Sequence, residues 1–135
     1  MTMPTPETAL IAVIHATIAT WISGTNAFTG RMRPIITGVP VNAIFVSAYG
    51  GVQPLPVGGR STTTREIAVQ IMLRGAVDAS ATTLSQARAL WAAVHKVAIS
   101  GYTYCLCMQP DPIPAGTDGT GSPIYTINVT MKVED

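Results

Sequence analysis

The sequence predicts an α+β fold, a two-layer sandwich in which two helices cover one face of a mainly antiparallel four-stranded sheet, in the order α-β-β-α-β-β. Three observations predict it. Apolar residues recur at helical spacing in two places, around 10–22 and 84–98. They alternate with polar residues in two others, 65–74 and 124–133. Between these periodic segments Gly, Pro and Thr accumulate, marking turns and loops. The 135 residues suit one domain over 1–135, long enough to bury a core without disulfides or metals.

The first helix opens near Thr5 or Thr8, either of which can cap it, with Pro6 and Glu7 suited to its first turn. Leu10, Ile11, Ile14, Ile18, Trp21 and Ile22 form its stripe, and Gly24 ends it. Ala9, Ala12, Ala16 and Ala19 gather on another side, either as plain helix formers or as a close-packing face. Residues 25–40 read as loop with a short extended piece, and Arg31 and Arg33 are the only charges there. A strand follows over 41–49, centred on Ile44, Phe45 and Val46 and stopped by Gly50 and Gly51. The Gly/Pro-rich stretch 52–64 is longer than most loops inside compact domains.

In the 65–74 strand Ile67, Val69, Ile71 and Leu73 share one face, and Glu66, Gln70 and Arg74 the other. After a polar connection, a second helix is expected over 83–100, with Leu84, Ala87, Leu90, Trp91, Val94, Val97 and Ala98 as its stripe and Gly101 as its end. A short strand covers 104–108, and a Pro/Gly/Asp-rich loop 109–122. The last strand turns Tyr125, Ile127, Val129, Met131 and Val133 inward and Thr126, Asn128, Thr130 and Lys132 outward. The first and last strand pairs are expected as antiparallel hairpins with long loops. With one apolar face per strand, the sheet is expected to be covered on one side only. It would leave a polar, threonine-rich face open and edges to be protected or paired.

Composition narrows the function. Hydrophobic residues make up 47%, which excludes a disordered chain. Charged residues are only 11%, against about 25% in ordinary domains. Such a surface suits contact with other protein better than life as a free monomer. A net charge of +1 argues against a dedicated nucleic-acid binder. The longest apolar stretch, 9–22, is interrupted by His15, Thr17 and Thr20 and falls short of the ~20 residues of a membrane span. No signal-peptide pattern opens the sequence, so a soluble protein made in a cytoplasm is expected.

No constellation of catalytic residues emerges. His15 and His95 each sit at the edge of a helix stripe, with no acid placed to orient them. Cys105 and Cys107 share a strand face, an arrangement poor for a disulfide and lacking the second pair of a zinc site. They read as buried or semi-buried thiols. Gly50-Gly51 and Gly58-Gly59-Arg60-Ser61 lack the Lys-Ser/Thr ending and the following helix of a phosphate loop. Asp111 and Asp118 are too few for a calcium loop, and Asp118-Gly119 reads as turn chemistry. No catalytic residue, metal or cofactor is expected. The remaining reading is an interaction protein.

The order of features is more specific. An amphipathic helix leads to a strand closing on Tyr49-Gly50-Gly51, then to Val69-Gln70-Ile71-Met72-Leu73-Arg74-Gly75. A second helix carries Ala87-Arg88-Ala89-Leu90-Trp91. Gln109-Pro110 precedes Thr117-Asp118-Gly119-Thr120-Gly121-Ser122-Pro123-Ile124-Tyr125-Thr126-Ile127-Asn128-Val129. This arrangement, over 10–133, resembles the tail terminator (minor capsid protein) family of long-tailed bacteriophages. In that family the final hairpin reads as an Asp-x-x-Gly-x-Pro turn into a strand with an aromatic residue and an Asn. Asp118, Gly121, Pro123, Tyr125 and Asn128 fit, whereas Ser122 stands where a basic residue often precedes the proline.

The resemblance implies a homo-oligomer, a ring of six copies at the head–tail junction of the virion, assembled in the cytoplasm of the host bacterium. Its partners would be the tail tube protein and the head-completion or connector protein, with DNA passing through the lumen without sequence recognition and no membrane. Arg31, Arg33, Arg60 and Asp118 are the candidate lumen or partner contacts. The alternatives are a head-completion (stopper) protein of the neck, or a small-molecule-binding domain using the open sheet face and the 52–64 loop.

Overall fold

The computed structural model describes residues 5–32, 39–51, 55–56 and 63–134. In chain order the elements are α1 (Pro6–Thr17), β1 (Ala27–Thr29), β2 (Ala43–Gly51), β3 (Leu55–Pro56), β4 (Thr63–Arg74), α2 (Ser80–Val94), β5 (Tyr104–Cys107), β6 (Ile113–Thr117) and β7 (Pro123–Glu134). The class is α+β with two helices. The sheet is open and mixed rather than a plain antiparallel four-strand one, and the order carries more strands than α-β-β-α-β-β.

The long strands form where the alternation is cleanest. β4 pairs antiparallel with β2 on one side and with β7 along its whole length on the other. β5 and β6 both run antiparallel to the far side of β7, β5 opposite 129–132 and β6 opposite 123–126. The lateral order is β1-β2-β4-β7-β5, and β1 is parallel to β2. Three short strands fall in stretches read as loop. Among the described residues β3 and β6 each pair on one side only, the edge setting in which prolines such as Pro56 and Pro114 are tolerated.

Both helices lie on the face formed by Ile44, Val46, Val69, Ile71, Leu73, Ile127, Val129 and Met131. Leu10, Ile14, Ala87, Leu90 and Val94 are buried against it. Among the described residues, no helix is long and apolar enough to cross a membrane.

The helices end earlier than their periodicity implied, and side chains explain why. Thr5 caps α1, its hydroxyl accepting from the Thr8 N–H at 3.3 Å. The helix stops at Thr17, where His15 and Asn26 give the backbone other partners. Trp21 O accepts from His15 Nδ1 at 2.9 Å, Ile22 N–H donates to Asn26 Oδ1 at 2.7 Å, and Asn26 Nδ2 donates to Thr20 O at 2.8 Å. Trp21 therefore reaches the core from a turn, and Ile22 is left exposed. α2 stops at Val94 because the next residues turn onto the edge of β5, where Lys96 N–H donates to Cys105 O at 2.8 Å. Ala98, expected in the stripe, is exposed.

The second face of the sheet is not wholly open. Phe28, Val39, Ala43 and Phe45 form a second buried cluster there, with Met32 and Met72 packed on it. Phe28 and Phe45 stack at 5.7 Å between ring centroids. Arg74, expected to point to solvent, is 2% exposed. Its Nε donates to Val41 O at 2.9 Å and its Nη2 to Pro40 O at 3.0 Å, while its guanidinium lies over the Phe45 ring. Burial holds its pKa below the usual arginine value, against the opposing charge of Asp118.

Candidate functional site

The closing turn is built around one carboxylate. Asp118 Oδ1 accepts from Thr120 N–H at 2.9 Å, Thr120 Oγ1 at 2.7 Å and Ser122 N–H at 3.0 Å. The Thr120 hydroxyl, then the backbone N–H groups of Ser122 and Thr120 and the charge of Arg74, hold the Asp118 carboxyl below its ordinary range. Asp118 N–H donates to Ser122 O, and Gly121 N–H donates back to Asp118 O. Gly121 has φ +88°, and a Cβ there would also touch the Val77 side chain. The turn leans on the β4–α2 connection, where Asp78 N–H reaches Gly121 O at 3.4 Å. Asp118 thus aims β7 into the centre of the sheet. The Asp118–Pro123 motif is an intramolecular device, and Ser122 within it is fully buried.

Past the second cluster the polar face carries a cross-strand row of uncharged side chains. Ser47, Gln70 and Asn128 lie in register. Gln70 Nε2 approaches Asn128 Oδ1 at 3.4 Å, and Asn128 Nδ2 approaches Gln109 Oε1 at 3.3 Å. Tyr49 and Met108, 54% and 53% exposed, flank this row. Further along, Glu66, Lys132 and Tyr104 make a charged row. The Tyr104 hydroxyl donates to Glu66 at 2.6 Å, which with burial pushes its pKa up to about 12. Lys132 Nζ sits over the Tyr104 ring. A phenol so held is a poor proton donor or acceptor for chemistry near neutral pH.

The two margins of the sheet differ. At one margin, the outer edge of β5 is covered by the chain leaving α2. Cys107 N–H donates to His95 Nδ1 at 3.1 Å, and the His95 ring stacks on Trp91. Trp91 Nε1–H in turn donates to Gln109 O at 2.8 Å. His95 is therefore an edge cap. The β6 part of the same margin is exposed at all five residues. At the opposite margin, β1 is followed by exposed Arg31. Between α1 and the 22–29 turn lies a cleft of about 340 Å³ lined by His15.

Of the residues the sequence nominated, Arg31 is exposed and Asp118 is tied into its turn. Arg33 and Arg60 lie outside the described residues, as do 57–62 and with them the Gly58-Gly59 segment. Of the two described, Arg31 follows β1 at one margin of the sheet and Asp118 lies in the turn between β6 and β7. Cys105 and Cys107 are free, and burial pushes both thiols up to about 12. Among the described residues, no three His, Cys, Asp or Glu side chains are grouped to hold a metal ion. Sequence reasoning missed Arg74 and the cleft. Arg74 looked like one more polar residue in the alternation, and the cleft depends on where α1 ends. Comparison with models of known protein families gives no match, and comparison with curated protein sequences gives none either.

Proposed function

We propose that this chain is a bacteriophage virion assembly protein, a tail terminator that forms a six-membered ring, caps the tail tube and joins it to the head connector. The observation that carries the reading is the closing segment, in which Asp118, Gly121, Pro123, Tyr125 and Asn128 follow the family pattern. Asp118 and Gly121 have a local physical reason for their identity. The two-layer arrangement of helices against long antiparallel strands supports it, as does the low charge of 11%.

Ring closure needs a heterologous side-to-side contact between different surfaces of each copy. A single open sheet with unlike margins, β1 on one side and β5 with β6 on the other, supplies two such surfaces. Exposed Arg31, with Arg33 and Arg60, would face DNA in the lumen through phosphate contacts alone. The test is to label the protein in purified virions and image them. Density at the head–tail junction, on the tube side, is expected. Density on the connector side of the neck would identify a head-completion protein instead, and density anywhere else would end the assembly reading.

A further inference from the structure

We propose that His95 is a proton-operated latch: neutral, it holds the turn after α2 against the outer edge of β5, and protonated, it lets go of Cys107 and opens that edge to water. The argument stands on the single chain and is independent of the ring reading. The histidines near the two helix ends make bonds of opposite polarity. His15 Nδ1 faces Trp21 O at 2.9 Å, a carbonyl that only accepts, so this Nδ1 carries a proton in both charge states of the ring. His95 Nδ1 faces the Cys107 N–H at 3.1 Å, a group that only donates. Here Nδ1 offers its lone pair, and the proton of the neutral ring sits on Nε2. Charging the ring therefore leaves the His15 bond intact. It removes the His95 bond, because one N–H then points at another.

The turn that His95 holds is under strain. Lys96 has φ +62°, a left-handed setting that side chains with a Cβ rarely adopt. Two hydrogen bonds tie this turn to the edge of β5, from Lys96 N–H to Cys105 O at 2.8 Å and from Cys107 N–H to His95. Losing the second leaves the strained residue held on that edge by the first alone. Charged and titratable groups of the surrounding elements supply no substitute. α2 and its turn bring the cations Arg88 and Lys96. β5 brings the Cys105 and Cys107 thiols, which at about 12 stay protonated throughout. The segment after β5 brings Asp111, whose carboxylate is engaged by Arg88. On the opposite face of β5, Tyr104, Glu66 and Lys132 are engaged with one another. Trp91, stacked on the His95 ring at 4.5 Å between centroids, attracts an imidazolium through its π face. That attraction keeps the ring in place, and with it the opposition of two donors.

The experiment follows amide exchange of the full chain by NMR at about pH 7.5 and about pH 5, which span the range over which histidines change charge. Each rate is divided by its intrinsic rate at that pH, giving a protection factor. Protection of the Cys107 amide should fall about tenfold on acidification, as expected for one hydrogen bond. Gly24, whose N–H donates to Ala27 O in the turn that His15 supports, and Val69 in the central strand should keep theirs. In His95→Gln the side-chain carbonyl accepts without titrating, so the Cys107 amide should be equally protected at both pH values. Imidazole nitrogen spectra at the higher pH should place the His95 proton on Nε2 and the His15 proton on Nδ1. Unchanged Cys107 protection at the lower pH would overturn the proposal. So would an equal fall in a folded His95→Gln protein, a His95 proton on Nδ1, or a loss at Val69 together with Cys107, which marks global unfolding. The exchange and tautomer measurements on the unaltered chain decide the matter even if the variant does not fold.

Discussion

Replacing Arg74 by Met keeps the aliphatic stem over Phe45 but removes the donors to Pro40 O and Val41 O. A hydrogen bond from a charged group contributes about 1.5–3 kcal/mol, so the two together contribute about 3–6 kcal/mol. Part of this offsets the cost of burying the guanidinium, a cost visible in its lowered pKa. A net loss of about 3 kcal/mol follows, against a total of about 5–15 kcal/mol for a domain of this size. With an m-value of about 1.5 kcal/mol/M, the urea midpoint should fall by about 2 M. Unfolding followed by the fluorescence of Trp21 and Trp91 measures it. Arg74→Lys, which keeps the charge but not the planar fork, should lose about half as much. The same variant should loosen amide-exchange protection around 41–43, beside the two carbonyls that Arg74 holds. A midpoint shift below about 0.5 M at unchanged m would refute the reasoning and return Arg74 to the status of a surface residue.

Three further outcomes follow from named contacts. Gly75→Ala places a Cβ against the side chain of buried Thr83 and should cost about 1–3 kcal/mol by thermal denaturation, recovered in part by Thr83→Ala in the double variant. Asp118 has a folded pKa below its ordinary 3.8, so its stabilising effect is complete above that pH and is lost as pH falls through the folded value. Asp118→Asn should lower stability near neutrality and flatten this acid limb in pH-dependent melting. Cys105 and Cys107, raised from 9.0 to about 12, should react slowly with thiol reagents at pH 8 in the native state and promptly in denaturant. Because the folded state disfavours the thiolate, stability should decline as pH rises from about 9 toward 12.

What the sequence makes legible is what periodicity encodes. β4 and β7 alternate without interruption, and their partners face the core as the pattern requires. The helix ends were not legible, because Asn26, His15 and His95 set them through bonds to backbone groups brought close only by the fold. β6 was hidden because Ile-Pro-Ala-Gly-Thr has no alternation, being an exposed edge strand with no core face to mark it. The second cluster was hidden for a similar reason. Phe28 lies in a three-residue strand too short to show alternation, so its stacking on Phe45 emerges only in the fold. Asp118, in contrast, was readable as turn chemistry from Asp-Gly alone. Its three accepted hydrogen bonds give that reading its physical content.

The central claim is that the unlike margins of this sheet join copy to copy into a closed ring. Negative-stain imaging of the purified protein at high concentration, alone and mixed with tail tube ends, tests it most directly. The account predicts six-fold rings with a central opening, free in solution or seated on the tube. Single copies throughout, with bare tube ends beside them, would contradict it.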